Sequence, residues 1–528
     1  MPRRRQAMEL PFMGKLDRTQ GELGRQLTRV LREAIRSGEL KPGESLPSTR
    51  HLAETVGISR GLVTNAFEQL IAEGFLEAQA GSSTRVSRSL SALLSTLPPS
   101  ETAGQPRKTS RTNRTSATIP APTLPPRAAA FADVARQFTP LPPVPFAVSV
   151  PIGPTAPDDT WRKLGNRTRG LRAAAPSGYD DPQGVPALRA AIADYVRKSR
   201  SVHCTPGQVI ITAGTQQGLY LACQILLEPA DRAWVEDPAY RGITGILEAT
   251  GNAMRMVRVP VDESGIDVEA GIRKAPDARV AFVTPSHQYP LGMPLSMARR
   301  TALVAWARAN DAWIVEDDYD SELRYVGHPF PSLQGLAPDR VIYLGTFSKI
   351  LFPSLRLGYA IVPEHLVPSF CGARGLMDRH PPSADQHTLA AYIAEGYLDR
   401  HIRRVRLVYA ERREHLISTI ASRIPSSLGW LQPGDQGMHL VLWLAAPIDD
   451  LAVAAQAMAA GVAVRAVSPL YAAGNGRPGL ILGLGGYTDA QTEAAVDKLG
   501  AIIAAASGAP RSRKRRVSAK TIAGSIAG

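Results

Sequence analysis

Cysteine is scarce in this sequence, and long apolar runs are missing. The 528 residues include three cysteines, Cys204, Cys223 and Cys371, which lie far apart and form no CxxC pair or His/Cys cluster. This pattern predicts no disulfide framework and no metal site, and it is typical of a reducing cytosol. No apolar run approaches the roughly 20 residues of a membrane helix, and the basic N-terminus lacks the apolar segment of a signal peptide. We therefore expect a cytoplasmic protein that does not bind a membrane.

The chain also has no excess of acidic residues. Its 61 Lys and Arg residues outnumber its 47 Asp and Glu residues, which gives a net charge of +14. The excess is +4 in residues 1–90, +4 in residues 91–140 and +6 in residues 509–528, so the rest of the chain is neutral. Basic flanks on a neutral body favour a polyanionic partner. Charge that serves only solubility is the alternative that composition leaves open.

The length indicates more than one domain, and the composition changes along the chain. Residues 14–88 show helical periodicity, and residues 146–508 alternate apolar bursts with helical stretches. Between them, eleven prolines fall within residues 91–145. Such a segment buries too little apolar surface to offset its ordering entropy, so we predict a flexible linker over residues 89–145. The basic tail, residues 509–528, is predicted to be disordered.

The N-terminal segment carries start and stop signals for two short helices that follow a first amphipathic one. Ser48 can cap one helix, which Gly57 ends, and Ser59 can cap the next, which runs from Arg60 to about Glu73. Two capped helices joined by the turn VGIS predict a helix-turn-helix. The strand-like stretches FLEAQ and TRVS, joined by AGSS, would add a wing. A small helical bundle with solvated polar residues is the alternative.

The polar residues of this segment suit DNA. Recognition helices place their N-terminal residues in the major groove, where side chains meet base edges and phosphates. The candidate DNA-binding residues are Ser48, Thr49, Arg50, Ser59, Arg60, Gly61, Thr64, Asn65, Gly81 and Ser82.

The stretch LPSTRHLAETVGISRGLVTNAFEQLIAEGFLEAQAGSSTRV resembles the winged helix-turn-helix of the GntR family in its turn, recognition helix and wing. The wing departs from the family at Ser83, since GSST stands where GSGT is common. The resemblance implies binding to double-stranded DNA.

The large segment has the pattern of an α/β domain. The apolar bursts VIITAG, AWVED, VAFVTPS, AWIVEDDY and VIYLGTF alternate with helical stretches. This alternation predicts a mainly parallel sheet with helical crossovers. Residues 430–505 are predicted to form a smaller α+β subdomain at the C-terminus.

Polar residues follow these strands in an order that suits pyridoxal 5'-phosphate held on a lysine. Such a site needs phosphate binders, an anionic partner for the ring nitrogen and a donor near the ring oxygen. The stretch GTFSKILFPSLRLGY offers Lys349 for the covalent bond and Arg356 for the phosphate. The other candidates are Gly214, Thr215 and Gln216 at a helix start, Tyr240 for stacking, Asp317 for the ring nitrogen, Tyr319, Thr346 and Ser348.

Each of these residues has an ordinary alternative role when it is taken alone. A single lysine after a strand is usually a surface charge, EDDYD suits a solvated loop, and Gly-Thr turns are common. Their ordered occurrence at predicted strand ends favours a ligand site, because ligands of open α/β sheets bind at the carboxyl ends of the strands.

Residues 146–505 resemble fold-type I aminotransferases. The resemblance implies that Lys349 forms the internal aldimine, Asp317 pairs with the ring nitrogen and Tyr319 contacts the ring oxygen. It also implies that Tyr240 stacks on the ring and that the side chain of Arg356 binds the phosphate. The stretch SGYDDPQGVPALRAAIADYV resembles the family's YxxxxGxxxLR region, which implies a homodimer in which Tyr179 reaches the partner subunit's site.

Two departures concern the ring oxygen and the substrate. Tyr289 in HQYPLG stands where aminotransferases usually have the asparagine of NPxG, so an amide contact to the ring oxygen is lost. The stretch PGLILGLGGYT lacks the arginine that usually binds the substrate carboxylate. Arg241 and Arg465 are the candidate substitutes, although either is equally consistent with a structural surface arginine.

The combination of the two segments resembles the MocR/GabR subfamily of bacterial regulators, as do LDRTQGEL, EDDYDSELRY and TPSHQYPLG. The resemblance implies a homodimeric transcription regulator that binds an operator with paired half-sites. It also implies that Lys349 and the cofactor sense an amine, an amino acid or the cofactor itself, with residual transaminase activity left open. A true aminotransferase with an added DNA-binding module and a cofactor-free DNA-binding dimer are the alternatives.

Overall fold

The chain forms two compact units, Met1–Pro120 and Ala121–Gly528, in the computed structural model of the protein. The structure describes residues 16–78, 83–89, 123–148, 150–151, 159–251, 255–328, 330–472 and 476–508. Gly81, Ser82 and the basic tail therefore lie outside the described residues. Among the described helices, none is both long and apolar enough to cross a membrane.

The N-terminal unit is a three-helix domain with a short antiparallel strand pair. Its elements are α1 (Leu23–Arg36), α2 (Thr49–Val56), α3 (Arg60–Ala72), β1 (Leu76–Glu77) and β2 (Arg85–Val86). The predicted caps are confirmed, because the Ser48 hydroxyl accepts from His51 N–H at 3.3 Å and the Ser59 hydroxyl accepts from Leu62 N–H at 3.4 Å. The apolar faces of the three helices meet in one core. The strand pair, with Leu76 opposite Val86, is the base of the predicted wing.

The second unit is built on an eight-stranded sheet in the order β3-β10-β9-β8-β7-β4-β5-β6. The five adjacent strands β9, β8, β7, β4 and β5 are parallel to one another. Strand β10 is antiparallel to both of its neighbours, β3 and β9, and β6 is antiparallel to β5. The strands are β3 (Val209–Thr212), β4 (Ala233–Asp237), β5 (Met256–Asp262), β6 (Gly265–Ile266), β7 (Val280–Val283), β8 (Trp313–Asp318), β9 (Val341–Thr346) and β10 (Gly358–Ile361). The predicted α/β class with a mainly parallel sheet is confirmed.

Helices cover this sheet, which explains the continuous apolar runs of its strands. In chain order they are α4 (Pro126–Gln137), α5 (Asp159–Arg169), α6 (Pro186–Arg200), α7 (Thr215–Leu226), α8 (Arg241–Ala249), α9 (Val268–Lys274), α10 (Met297–Ala309), α11 (Leu333–Leu336), α12 (Val367–Asp378) and α13 (Ser383–Ala394). Every residue of β3, β7, β8, β9 and β10 is buried, as expected for a sheet packed on both faces. The carboxyl ends of β3, β4, β7, β8 and β9 meet at one edge.

The C-terminal part of the second unit forms a smaller α+β subdomain, as predicted. Its elements are α14 (Tyr397–Arg423), β11 (Gly429–Leu431), β12 (His439–Leu444), α15 (Asp450–Ala459), β13 (Arg465–Ala466), β14 (Gly479–Gly483) and α16 (Asp489–Ala506). The four strands are antiparallel in the order β11-β12-β14-β13. Apolar residues of α14 and α16 pack on this sheet in a core of their own.

Helix α4 lies inside the segment that composition predicts to be a linker. Two prolines, Pro125 and Pro126, stand at its start, where a proline without an N–H group is tolerated, and no further proline follows until the helix has ended. The helix contacts α8: Arg127 Nε donates to the carbonyl of Ala249 at 3.1 Å. A proline count averaged over 55 residues conceals this short proline-free stretch.

Candidate cofactor site and DNA-binding surface

A cavity of about 900 Å³ opens at the carboxyl edge of the large sheet. The sheet topology explains its position, because the loops after β3, β4, β7, β8 and β9 converge there. The predicted cofactor and effector residues that line the cavity are Gly214, Thr215, Gln216, Tyr240, Arg241, Tyr289, Asp317, Tyr319, Thr346, Ser348, Lys349, Arg356 and Arg465.

Tyr179 is the predicted cofactor residue that does not line this cavity. Its side chain is 84% exposed and contacts the ring of His380 and the guanidinium of Arg379. A role in a partner subunit's site, which the resemblance implies for it, remains a prediction.

Lys349 follows the last residue of β9, Thr346, by three positions, and its partly buried side chain lines the cavity. Burial lowers the pKa of its amine to about 8, and the nearby carboxylates of Asp320 and Asp317 counteract part of this change. A minor fraction of the amine is therefore uncharged near neutral pH, which is larger than for an ordinary lysine. An uncharged lysine amine is the nucleophile that a carbonyl compound requires.

Asp317 is the penultimate residue of β8, and its carboxylate is incompletely hydrogen-bonded. Burial raises its pKa to about 7, while the hydroxyl of Thr215 and the charge of Lys349 oppose that rise. Its Oδ1 atom has no hydrogen-bond partner among the described residues. Buried carboxylate oxygens are rarely left unpaired, so this atom fits a donor that a ligand brings, such as a protonated ring nitrogen.

The other acidic residues of EDDYD are buried as well, so the alternative of a solvated loop is wrong. Asp318 pairs with the buried Arg200 at 2.7 Å and accepts from the hydroxyls of Tyr343 and Ser321. Asp318 is thus occupied within the fold, and of the two adjacent aspartates only Asp317 lines the cavity.

A cationic cradle forms where α7 begins. Gly214 precedes the helix with φ 82°, and a Cβ atom there would lie 3.1 Å from Nη2 of Arg356. The guanidinium of Arg356 also donates to the carbonyl of Ala213. Ser348 adds a buried hydroxyl without a hydrogen-bond partner among the described residues. Free N–H groups of a helix start, a guanidinium and a hydroxyl together fit a phosphate.

Three of the tyrosines that line the cavity are in contact with one another. The hydroxyl of Tyr240 donates to Gln216 Oε1 at 3.1 Å, and its ring meets the ring of Tyr289 edge-on at 5.6 Å. The ring of Tyr289 in turn meets that of Tyr319 edge-on at 6.2 Å. Tyr289 therefore presents a phenol where the aminotransferase pattern has an amide.

The hydroxyl of Tyr319 contacts a residue that the sequence interpretation missed. It lies 3.0 Å from Nδ1 of His287, which also lies 2.9 Å from Oδ2 of Asp320. His287 stands two residues before Tyr289 in a stretch already singled out, and Asp320 directly follows Tyr319. Their closeness in the sequence to Tyr289 and Tyr319 was the one signal for a role of His287 and Asp320. The sequence does not show that the side chains of His287, Tyr319 and Asp320 are in contact.

The two candidate effector arginines differ in their surroundings. Arg241 makes two hydrogen bonds to the carboxylate of Glu248, at 2.7 and 2.5 Å, and a third to the hydroxyl of Thr244. Arg465 is half-buried at the cavity wall and forms no hydrogen bond or ion pair with any described residue through its side chain. Of these two arginines, only Arg465 therefore offers the cavity a positive charge that no described carboxylate compensates.

In the N-terminal unit, the start of α3 presents polar groups to solvent. The side chains of Arg60 and Asn65 are exposed, and Gly61 leaves the backbone accessible between them. Thr64 is partly occupied, because its hydroxyl donates to the carbonyl of Arg60 at 3.0 Å. These positions are those with which a recognition helix contacts the major groove.

Helix α2 presents the remaining predicted DNA-binding residues. Ser48 and Arg50 are exposed and Thr49 is partly buried, while Arg50 forms an exposed ion pair with Glu54 at 3.3 Å. Exposed ion pairs of this kind are weak enough for a phosphate to compete. The sequence interpretation missed Arg18, whose guanidinium donates to the carbonyls of Val56 and Gly57 and so fastens the turn between α2 and α3.

Two segments of the chain match known families. Residues 23–86 match the bacterial regulatory proteins of the gntR family, and residues 154–499 match aminotransferase class I and II. The chain is also 37% identical to the probable rhizopine catabolism regulatory protein MocR of Rhizobium meliloti, over 88% of this chain and 90% of that protein. The chain belongs to the MocR/GabR subfamily of GntR-type transcriptional regulators.

A second transcriptional regulator is similar over the same share of this chain. The pyridoxine biosynthesis transcriptional regulator PdxR of Corynebacterium glutamicum is 36% identical, over 88% of this chain and 92% of that protein. The α-aminoadipate aminotransferase LysN of Thermus thermophilus has the fold of the large unit, with a TM-score of 0.65 and 24% identity over 73% of this chain and 98% of that chain.

Membership in the subfamily gives both units of the chain a role. The gntR-type winged helix is a DNA-binding domain. The class I and II aminotransferases are pyridoxal phosphate proteins, so this MocR/GabR-type regulator carries a pyridoxal phosphate domain. The unpaired oxygen of Asp317, the cradle at Gly214 and the unpaired hydroxyl of Ser348 fit that cofactor.

Proposed function

We propose that this regulator senses a primary amine that carries a carboxylate, and that binding of this effector changes the affinity of the winged helix for its operator. The observation that carries the proposal is the uncompensated guanidinium of Arg465 in the same cavity as Lys349. The cofactor phosphate has a cationic partner in Arg356. Arg465 is therefore available for a second anionic group, which a cofactor alone does not bring.

The residues around the cavity divide into those that would hold the cofactor and those that would meet the effector. Pyridoxal phosphate supplies an aldehyde carbon that reacts reversibly with primary amines, which makes the site selective for them. Lys349 would hold that carbon through its amine, and Asp317 would accept from the ring nitrogen. The phosphate would be bound by the start of α7, Thr346, Ser348 and Arg356, while Tyr240 would cover the ring.

The electrostatics favour Arg465 over Arg241 as the partner of the effector carboxylate. The bidentate contact with Glu248 already neutralises Arg241, so a second carboxylate there would face the negative charge of Glu248. Arg465 carries no such neighbour among the described residues. A carboxylate therefore forms a stronger charge-assisted contact with Arg465 than with Arg241.

We further propose residues 14–88 as the DNA-binding domain and residues 146–508 as the domain for cofactor, effector and dimerisation. Residues 89–145 connect them and include α4, and residues 509–528 add nonspecific attraction to DNA. In the proposed homodimer, the exposed ring of Tyr179 would reach the partner subunit's phosphate site. Two winged helices in one dimer would bind paired half-sites on the operator.

A path for the signal is supported by the contacts of α4. Phe138, the residue after this helix, lines the cavity together with Arg241, Thr244 and Glu248 of α8. Val134 of α4 also packs against Gly245 of α8, where a Cβ atom would lie 3.3 Å from its Cγ2. An effector that shifts α8 would therefore shift the segment that leads back to the winged helix.

The proposal is tested with the full-length protein loaded with pyridoxal phosphate and an operator selected with it from a random DNA pool. Primary amines with and without a carboxylate are added while the visible absorption of the cofactor and the DNA affinity are followed. We expect a carboxylate-bearing amine to change both, without release of a keto acid. Steady keto acid release with unchanged DNA affinity would point to an aminotransferase, and a cofactor band that no amine changes would overturn the proposal.

Replacing Arg465 with alanine should weaken the response to the effector. A hydrogen-bonded contact between charged groups contributes about 1.5–3 kcal/mol, so the effector concentration at half-response should rise by roughly one to two orders of magnitude. The cofactor band itself should form as in the unmodified protein. Arg241→Ala is the matched control and should have the smaller effect; a larger effect of Arg241→Ala would assign the carboxylate to Arg241.

A further inference from the structure

Behind the wall of the cavity, Tyr319 is in contact with a buried histidine–aspartate pair. Nδ1 of His287 lies 2.9 Å from Oδ2 of Asp320 and 3.0 Å from the hydroxyl oxygen of Tyr319. His287 is 4% exposed and Asp320 is 1% exposed, so water does not compete for these contacts. None of the roles assigned above uses either residue.

The geometry decides where the hydrogen atoms lie. A carboxylate only accepts hydrogen bonds, so the short contact to Asp320 requires a hydrogen on Nδ1 of His287. Nδ1 then has no lone pair left for the hydroxyl of Tyr319 to donate to. The oxygen of Tyr319 can share the Nδ1 hydrogen, and its own hydrogen is free to point away from His287, into the cavity.

The ring of His287 is held in place by its neighbours. Gly437 has φ 83°, and a Cβ atom there would collide with Cε1 of His287, while a Cβ atom on Gly292 would lie 3.0 Å from Nε2. The ring of His439 lies 5.0 Å away on the other side. His439 bonds through Nε2 to the carbonyl of Pro290 at 2.9 Å, and burial lowers its pKa to about 4, so it is neutral.

We propose that His287 and Asp320 are positioning residues that aim the hydroxyl hydrogen of Tyr319 at the ring oxygen of the cofactor. This inference rests on the proposed function in requiring the cofactor on Lys349. It has added weight in this chain because Tyr289 replaces the asparagine whose amide would contact that oxygen. The amide donor of that asparagine is absent here. The direction of the Tyr319 hydroxyl hydrogen is set by its contact with His287, on the side of Tyr319 away from the cavity.

The consequence is a shift in the pKa of the nitrogen that links Lys349 to the cofactor. When the linking nitrogen loses its proton, the ring oxygen keeps a negative charge that a well-aimed donor stabilises. Loss of this donor should therefore raise the pH at which the visible band titrates. The titratable or charged groups that face His287, Tyr319 and Lys349 are Asp320, Asp317, Glu236, Tyr289, His439, Arg356 and Arg465.

The test is a pH titration of the visible band in the full-length protein loaded with cofactor. We expect His287→Phe to raise the midpoint by about one pH unit, the size of a lost hydrogen bond to a charged group. His287→Gln, which keeps an N–H donor of similar reach, should recover part of the shift. Asp320→Asn should act in the same direction as His287→Phe, because an amide no longer fixes the hydrogen on Nδ1, and it serves as the second probe if His287→Phe folds poorly.

A double-mutant cycle separates positioning from a merely structural role. Tyr319→Phe should raise the midpoint by itself, and His287→Phe should add nothing in that background if it acts through Tyr319. Additive shifts, or a midpoint of His287→Phe equal to that of the unmodified protein, would overturn the inference and leave the proposed function standing. An unmodified protein without any visible band would overturn both.

One alternative for the same side chains is a metal ion, since ligand atoms of His287, Asp320 and His439 lie within 4.8 Å of one another. Nδ1 of His287 and Nε2 of His439 carry hydrogens in the contacts above, so a metal would have to bind the other nitrogen of each ring. We expect the titration to be unchanged by a chelator. A midpoint that a chelator moves, and that added zinc restores, would overturn the positioning role in favour of a metal site.

Discussion

Replacing Lys349 with alanine is expected to abolish the visible band of the bound cofactor. The band requires a covalent bond to an amine, and Lys349 is the lysine that lines the cavity in the described part of the chain. Its partly uncharged state near neutral pH, a result of burial, favours that bond. Without the bond, the cofactor is held only by its phosphate and ring contacts and should be lost on dialysis. The response of DNA binding to amines should vanish with it.

The control for this change is a lysine far from the cavity. Lys498 on α16 is exposed, and its amine donates to the carbonyl of Ala460 at 3.0 Å. Lys498→Ala should keep the band and the response. Both variants should bind the operator without effector as the unmodified protein does, which shows that they fold. A Lys349→Ala protein that keeps the visible band would contradict the assignment of Lys349.

Much of the cofactor site could be predicted because it follows from topology. Asp317 is the penultimate residue of the buried strand β8, and Lys349 follows the buried strand β9 by three residues. Parallel strands bring such residues to one edge of the sheet whatever their separation in the chain. The caps Ser48 and Ser59 were predictable for a different reason, since a cap is a contact between residues three apart. Neither inference requires knowledge of side-chain directions.

The contacts that sequence reasoning missed depend on such directions. The meeting of His287 with Asp320 joins two loops 33 residues apart, and nothing in either stretch shows which way the imidazole points. The pairing of Arg241 with Glu248 was more accessible, because residues seven apart lie on one face of a helix. Noticing that spacing would have separated Arg241 from Arg465 before the structure was known.

The second large effect is expected at the start of the recognition helix. Arg60→Ala should weaken operator binding by roughly 5- to 150-fold, the range of about 1–3 kcal/mol for a lost arginine contact to a base. Its side chain is exposed and forms no hydrogen bond or ion pair with any described residue, so the change removes no contact within the fold. Fluorescence anisotropy with the selected operator measures the affinity, and unfolding temperatures check that the variant is intact.

The kind of contact that Arg60 makes is visible in how the loss depends on DNA sequence and salt. If Arg60 reads a base, Arg60→Ala should weaken the selected operator far more than random DNA of the same length. If it binds a phosphate, both DNAs should weaken alike, and the slope of affinity against salt concentration should fall by about one unit. Arg29→Ala, which removes the same charge from the exposed face of α1, is the matched control. An equal loss in Arg29→Ala would mean that net charge, and not the position of Arg60 in α3, accounts for the effect.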